Sequence, residues 1–191
     1  LNNKKINYQT LYKLFPRKKF KILNNFTHKN LAHLLAKNEI IAVARGREEF
    51  GARALGNRSI ITNPSNFDAV KSINESIKNR DFWMPFALTI LKEKHQKYIE
   101  NKKNFICDFM TMTFETKNNN QKKIKAGCHP YDNTVRPQIL EKEFNPMYHS
   151  IIKKFNALTN IPALLNTSLN LHGYPLASSL ERVTYTFKNS D

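Results

Sequence analysis

The chain has 191 residues, 40% of them apolar, which suits one domain with a buried core and excludes a chain disordered by composition. No run approaches the roughly 18 apolar residues of a membrane-spanning helix, and LNNKKINYQTLYKLF has neither the apolar stretch nor the cleavage site of a secretory signal. The formal net charge of +16 invites a nucleic-acid reading, yet 23 of the 31 basic residues are lysines scattered in tracts such as RKKFK, KEKHQK and QKKIK. Those are assigned to solvated faces. The eight arginines behave differently, because Arg45, Arg47, Arg53, Arg58 and Arg80 fall within 36 residues. Cys107 and Cys128 lack the spacing of a zinc site and fit a reducing cytoplasm, the expected location.

In chain order, residues 1–25 read as a basic, poorly periodic linker or edge segment from a preceding domain, and 26–191 as the domain itself. Thr27 can cap a helix over HKNLAHLLAKN, with Leu31, Leu34 and Leu35 on one face. EIIAVAR reads as a short buried strand and SIIT as a second. NPSNFDAVKSINESIKN starts with turn chemistry and places Phe67, Val70, Ile73 and Ile77 on one helical stripe. Pro85 makes DFWMPFALTIL a loop entering a strand near Phe86. FICDFMTMTFET predicts a strand, KNNNQKKIK a polar loop, and NTVRPQIL a strand with an edge or bulge at Pro137. NPMYHSIIKKFNAL has Met147, Ile151, Ile152, Phe155 and Leu158 in helical register, IPALLNTSLNLHGYP is a strand followed by a polar loop, and LERVTYTFKNSD ends in a helix bearing Leu180, Val183 and Phe187. The alternation predicts an α/β (α+β) domain with a mixed sheet. The absence of an initiator methionine and the final helical stretch are expected of a piece of a longer protein.

Four constellations can carry chemistry. In GREEFGARALGNRS, three of the chain's five glycines (Gly46, Gly51, Gly56) alternate with Arg47, Arg53 and Arg58. Glycine lets a backbone approach a ligand, and guanidinium forks match phosphate or carboxylate oxygens two at a time. The plainer reading is a kinked turn whose arginines pair with Glu48 and Glu49. Lys78, Arg80 and Asp81 follow the predicted helix, where cations are favoured in any case. Thr134, Arg136 and Gln138 share one face of a predicted strand, facing either solvent or a site. Asn166, Thr167, Ser168 and Asn170 close a buried strand at its C-terminal end, where open α/β sheets bind ligands, or else form a simple turn. His129 and His172 have no partner at ligand spacing and read as surface histidines.

Together and in order, the glycine/arginine block GREEFGARALGNRSI, the Lys-x-Arg-acid segment leading to PFA, DNTVRPQ and LLNTSLNLHGYP resemble the C-terminal domain of NodU/CmcH-type carbamoyltransferases, over roughly residues 28–187. The resemblance implies a YrdC/Sua5-like fold, a twisted mixed β-sheet with flanking helices, joined in the same polypeptide to a Kae1-like N-terminal domain. It implies that carbamoyl phosphate and ATP with Mg give carbamoyl adenylate, and that the other domain, which holds the metal of the transfer step, passes the carbamoyl group to a small-molecule hydroxyl. No metal site is expected within this chain. Motif by motif, it places Arg53, Lys78, Arg136 and Ser168 at the carbamoyl phosphate and α-phosphate, and Asn166 and Asn170 at the nucleotide. Arg47, Arg58 and Arg80 are assigned to the phosphates or, for Arg47 and Arg58, to the local fold.

Two positions depart from the family pattern: Ala52 replaces a proline, and Met84 replaces an arginine before PFA. A missing phosphate-binding cation would cost about 2–4 kcal/mol of transition-state stabilisation unless Arg80 reaches in. The alternatives are an RNA-binding module of YrdC type, disfavoured because the lysine tracts carry few interleaved aromatics, and a non-catalytic domain that supports its Kae1-like neighbour.

Overall fold

The lead-in is not featureless. In the computed structural model, which describes residues 8–15, 21–23, 25–79, 81 and 84–190, Tyr8–Leu14 form helix α1. Phe15 behind it meets Phe187 edge to face, with ring centroids 5.6 Å apart. Helix α2 (His28–Ala36) begins where predicted: the Thr27 hydroxyl accepts the Asn30 N–H, and the Asn30 side chain accepts the Thr27 N–H. This reciprocal cap satisfies two orphan donors of the first turn. Ala32 and Leu35 are its buried residues.

Strands β1 (Ile41–Ala44) and β2 (Arg58–Thr62) follow, then helix α3 (Phe67–Ile73), strand β3 (Ala87–Leu91), the short helix α4 (Asn118–Gln121), strand β4 (Pro137–Leu140), helix α5 (Pro146–Thr159), strand β5 (Ala163–Ser168) and helix α6 (Leu180–Lys188). The sheet order is β1-β2-β5-β3-β4, with β3 and β4 parallel and every other pairing antiparallel. This is the expected mixed sheet. β5 takes the centre, with Ala163 and Leu164 fully buried. Pro137 opens edge strand β4, a position where its missing N–H breaks no ladder. Helices α2 and α5 pack on one another, and Ile151, Ile152 and Phe155 of α5 are buried in the core.

Four expectations fail for physical reasons. β1 is an edge strand and its residues are only partly covered, so it is not a buried strand. Residues 105–116 form no strand: Met110 sits in the left-handed region at φ 57°, and isolated bridges from Phe114 to Val135 and from Thr116 to Ile99 are the pairings they make. The polar stretch 117–125 is ordered as α4 and a tight 3-10 turn over Lys122–Gly127, pinned by the fully buried Ile124. The helical stripe after Pro64 is narrower than expected, because Phe67 is exposed and the helix widens into a π-helical turn over Asn74–Lys78, ending at Asn79 with φ 42°.

The turn joining β1 to β2 is held from several sides. Glu49 Oε1 accepts the backbone N–H groups of Leu55 and Asn57 at 2.7 Å each and of Arg58 at 3.3 Å. The carboxylate therefore fills a nest of main-chain amides, where the sequence suggested partners for the arginines. Arg45 donates from Nε to the Gly56 carbonyl at 3.3 Å and from Nη2 to Asn145 Oδ1, and Asn145 is the cap of α5. Burial, the largest influence, pulls the Arg45 guanidinium below its ordinary pKa, while Glu49 and the Tyr148 hydroxyl work in the opposite direction. Gly56 has φ 107°, and a Cβ there would lie 2.3 Å from the buried ring of Tyr148.

Gly56→Ala combines overpacking with a disfavoured φ, and we expect it to lower stability by about 2–4 kcal/mol in urea melts. Gly51→Ala, also at positive φ but with nothing within 4 Å of the new methyl, should lose only about 1 kcal/mol. Equal losses would show that the Tyr148 contact is not what fixes the turn.

Candidate functional site

Strand direction decides which motifs meet. β5 runs antiparallel to both neighbours, so its C-terminal end lies beside the N-terminal ends of β2 and β3: Ser168 pairs with Ser59, and Asn166 with Ala87. β4 is parallel to β3 and enters at the same end, Pro137 opposite Leu88. The glycine/arginine turn leads into β2, PFA into β3 and DNTVRPQ into β4, and LLNTS ends β5. Four segments far apart in sequence thus converge on one edge of the sheet.

At that edge Arg53, Arg136, Asn166 and Ser168 line a small niche of about 40 Å³, with Pro85 and Ala87 among its walls. Arg53 is exposed and has no hydrogen-bond or ion-pair partner among the described residues. Asn166 is buried and donates to the Ala54 carbonyl and to Thr89 Oγ1, each at 3.0 Å, which ties β5 to the glycine/arginine turn. Thr89 in turn donates to Gln138 Oε1 at 3.0 Å. Buried Glu49 Oε2, Asn166 Oδ1 and Gln138 Nε2 have no partner among the described residues. A wider cleft of about 610 Å³ adjoins the niche, sharing Ala52 and Ser168 with it.

The remaining residues singled out from the sequence divide by burial. Lys78 is almost fully buried. Its ammonium donates to the Ser168 carbonyl (2.5 Å), the Asn170 carbonyl (2.8 Å) and Asn170 Oδ1 (2.6 Å), with Ser168 Oγ at 3.2 Å. It is not among the side chains lining the niche; it fixes two that border the site. Ser168 Oγ donates to Asn170 Oδ1 at 2.6 Å. Arg58 is fully buried and gives its donors to the carbonyls of Ala177 (2.8 Å), Arg45 (2.6 Å), Asn57 (3.1 Å) and Gly46 (3.1 Å). Of the two roles open to it from sequence, that bonding gives it the local fold. Arg47 is exposed on the turn and lines neither space, and Arg80 lies outside the described residues. Met84 is 39% exposed, one residue before Pro85 of the niche. Thr134 is held by Asp132 away from the niche. His172 is exposed, as expected, and its Nδ1 lies 2.6 Å from the Lys78 carbonyl.

Sequence reasoning passed over Glu49 as an organiser of the turn, Asn145 as the anchor linking it to α5, and Thr89 as the hub between Asn166 and Gln138. The Asn-Pro step at 145–146 signalled a helix cap, but nothing in sequence shows that a cap side chain also holds a turn 100 residues away. Among the described residues there is no group of three or more His, Cys, Asp or Glu side chains that could hold a metal ion. Nor does any helix there have the length and apolarity to cross a membrane. Another cleft, of about 960 Å³, lies beyond the opposite ends of β3 and β4, is lined by lysines and carboxylates together, and contains none of the motif residues.

A Methanocaldococcus jannaschii protein, MJ1051, is 38% identical over 161 residues, covering 84% of this chain and 30% of that protein. Nodulation protein NolO of Bradyrhizobium diazoefficiens is 32% identical over 164 residues, covering 84% of this chain and 29% of its own. The chain thus spans less than a third of the length of these relatives. Among solved structures, full-length HypF in a phosphate- and nucleotide-bound form superposes with a TM-score of 0.60 at 14% identity, covering 90% of this chain and 20% of that one. Sua5 of P. abyssi superposes at 0.56 and 15% identity, covering 90% and 49% respectively. The fold is therefore the YrdC/Sua5-like one expected, a mixed sheet with flanking helices. The family model described as carbamoyltransferase C-terminus matches residues 32–191, and the chain belongs to that family.

Proposed function

We propose that this domain forms carbamoyl adenylate from carbamoyl phosphate and ATP, as the C-terminal part of an O-carbamoyltransferase. The observation that carries the reading is the niche itself: two guanidinium groups, Arg53 and Arg136, from different elements beside Ser168 at one sheet edge, with no nucleophile activated by a base. Family membership and the phosphate- and nucleotide-bound form of the structurally similar HypF support it.

The chemistry suits such a niche. Carbamoyl phosphate loses inorganic phosphate to water, and a carbamate oxygen then attacks the α-phosphorus of ATP, forming a new P–O bond as pyrophosphate leaves. Negative charge moves among phosphoryl oxygens throughout, so catalysis is positioning and charge stabilisation rather than covalent work. Arg53 and Arg136 bind and orient the transferred phosphoryl group as planar two-pronged donors. Ser168, held by Lys78 and donating its hydroxyl to Asn170 Oδ1, forms part of the same wall. Lys78 acts as a positioning residue, because its ammonium is committed to these two neighbours. Magnesium, arriving with ATP, supplies further neutralisation of the phosphates. The carbamoyl group would then pass to a hydroxyl of a small acceptor on a Kae1-like domain of the full polypeptide, in the cytoplasm.

ATP–pyrophosphate exchange by the chain should require carbamoyl phosphate and fall by about 100-fold or more in Arg53→Ala. A folded protein whose exchange is indifferent to carbamoyl phosphate or to Arg53 would refute the assignment. Because Met84 stands where an arginine is usual in the family, Met84→Arg should raise exchange about 10-fold. An unchanged rate would mean that the niche already has its full complement of cations.

A further inference from the structure

Phe50 is more exposed than any other large apolar residue described, at 108% of its reference area. It sits at the tip of the glycine/arginine turn, between Glu49, whose carboxylate is anchored on three backbone amides, and Gly51 at φ 119°. A phenylalanine left in water forgoes roughly 1.5–3 kcal/mol of burial, and here the backbone that presents it is held from behind. The anchored neighbour Glu49, and no contact of the ring itself among the described residues, is what presents Phe50 to solvent.

Its surroundings specify what the ring could cover. Phe50 lines the 610 Å³ cleft together with Tyr174, which is 55% exposed, and with Asn170 and Arg182. That volume lies in the range of small-ligand pockets, whereas the niche of about 40 Å³ holds little more than one small oxyanion. A nucleoside triphosphate with its α-phosphate at Arg53 therefore has to place its base and sugar in the wider cleft, across the shared wall of Ala52 and Ser168. Flat aromatic faces beside a cationic niche are the groups that hold a base by stacking.

Resting on the ATP-dependent reading above, we propose that Phe50 is the stacking platform for the base of the nucleotide, with Tyr174 on the same cleft, so that one turn binds both ends of the ligand: the phosphates through Arg53 and the base through Phe50. Base recognition and phosphate recognition are then separable by single substitutions in the same loop.

Titration calorimetry of the chain with Mg-ATP and with Mg-tripolyphosphate, which has phosphates but no base, tests this. Phe50→Ala should weaken ATP about 5- to 150-fold and leave tripolyphosphate unchanged, Phe50→Trp should keep ATP affinity, and Arg53→Ala should weaken both ligands. If the unsubstituted chain binds both ligands and Phe50→Ala leaves ATP affinity as it was, stacking is wrong while the phosphate site stands, and the exposed ring belongs to a protein contact instead. If the unsubstituted chain binds neither ligand, the ATP-dependent reading falls, and the stacking proposal with it.

Discussion

The antiparallel insertion of β5 between β2 and β3 is the constraint on which the site depends. In a strand flanked by parallel neighbours, the C-terminal end lies among other C-terminal ends, and the loops that follow the strands make the site. Here the central strand is reversed, and the polar LNTS end of β5 emerges among the segments that enter β2, β3 and β4. The glycine/arginine turn, the PFA approach and DNTVRPQ all precede strands rather than follow them. Shifting the pairing of β5 by one residue would turn Asn166 and Ser168 to the opposite face and exchange them for Leu165 and Thr167. The apolar run from Ile161 to Leu165 therefore secures the site's register as well as the core.

The arginines show how burial assigns one side chain to different tasks. Arg58 and Arg45 are spent inside the protein on carbonyls of the turn and on the α5 cap, with full and partial burial respectively. Arg53 lies between them in sequence but has its guanidinium in solvent beside the niche. Guanidinium suits the internal role because it is weakly hydrated and offers five donors in a fixed plane. The same property suits oxyanion binding, so composition alone could not separate the two. The +16 net charge bears little on either, since it is dominated by lysines outside the niche.

Much of the fold was legible because it rests on local signals. The Thr27 cap, the stripe Ile151, Ile152 and Phe155, and the apolar β3 and β5 announce themselves by spacing. What failed depended on distant partners. FICDFMTMTFET has strand composition, but β4 already forms the edge, and the segment makes isolated bridges at Phe114 and Thr116. KNNNQKKIK looks like a free loop until Ile124 is seen buried. The site was legible as four motifs in one order, since each motif is short and local. Its geometry was not: that Lys78 would be enclosed by Ser168 and Asn170, or that Glu49 would bind amides rather than arginines, follows from tertiary placement alone.

Lys78 shows what the enclosed arrangement achieves. A buried ammonium is costly unless its three protons are all accepted, and four oxygens from Ser168 and Asn170 surround this one. All of them belong to the end of β5 and the residue two beyond it, so the lysine at the close of a π-helical turn fixes the conformation of the strand's exit. His172 strengthens that arrangement by contacting the Lys78 carbonyl from the next loop. The exit is thereby tied to α3's extension rather than left as a free turn. On the proposed reading, a ligand bound against Ser168 would meet a wall already in place, which lowers the ordering cost of binding.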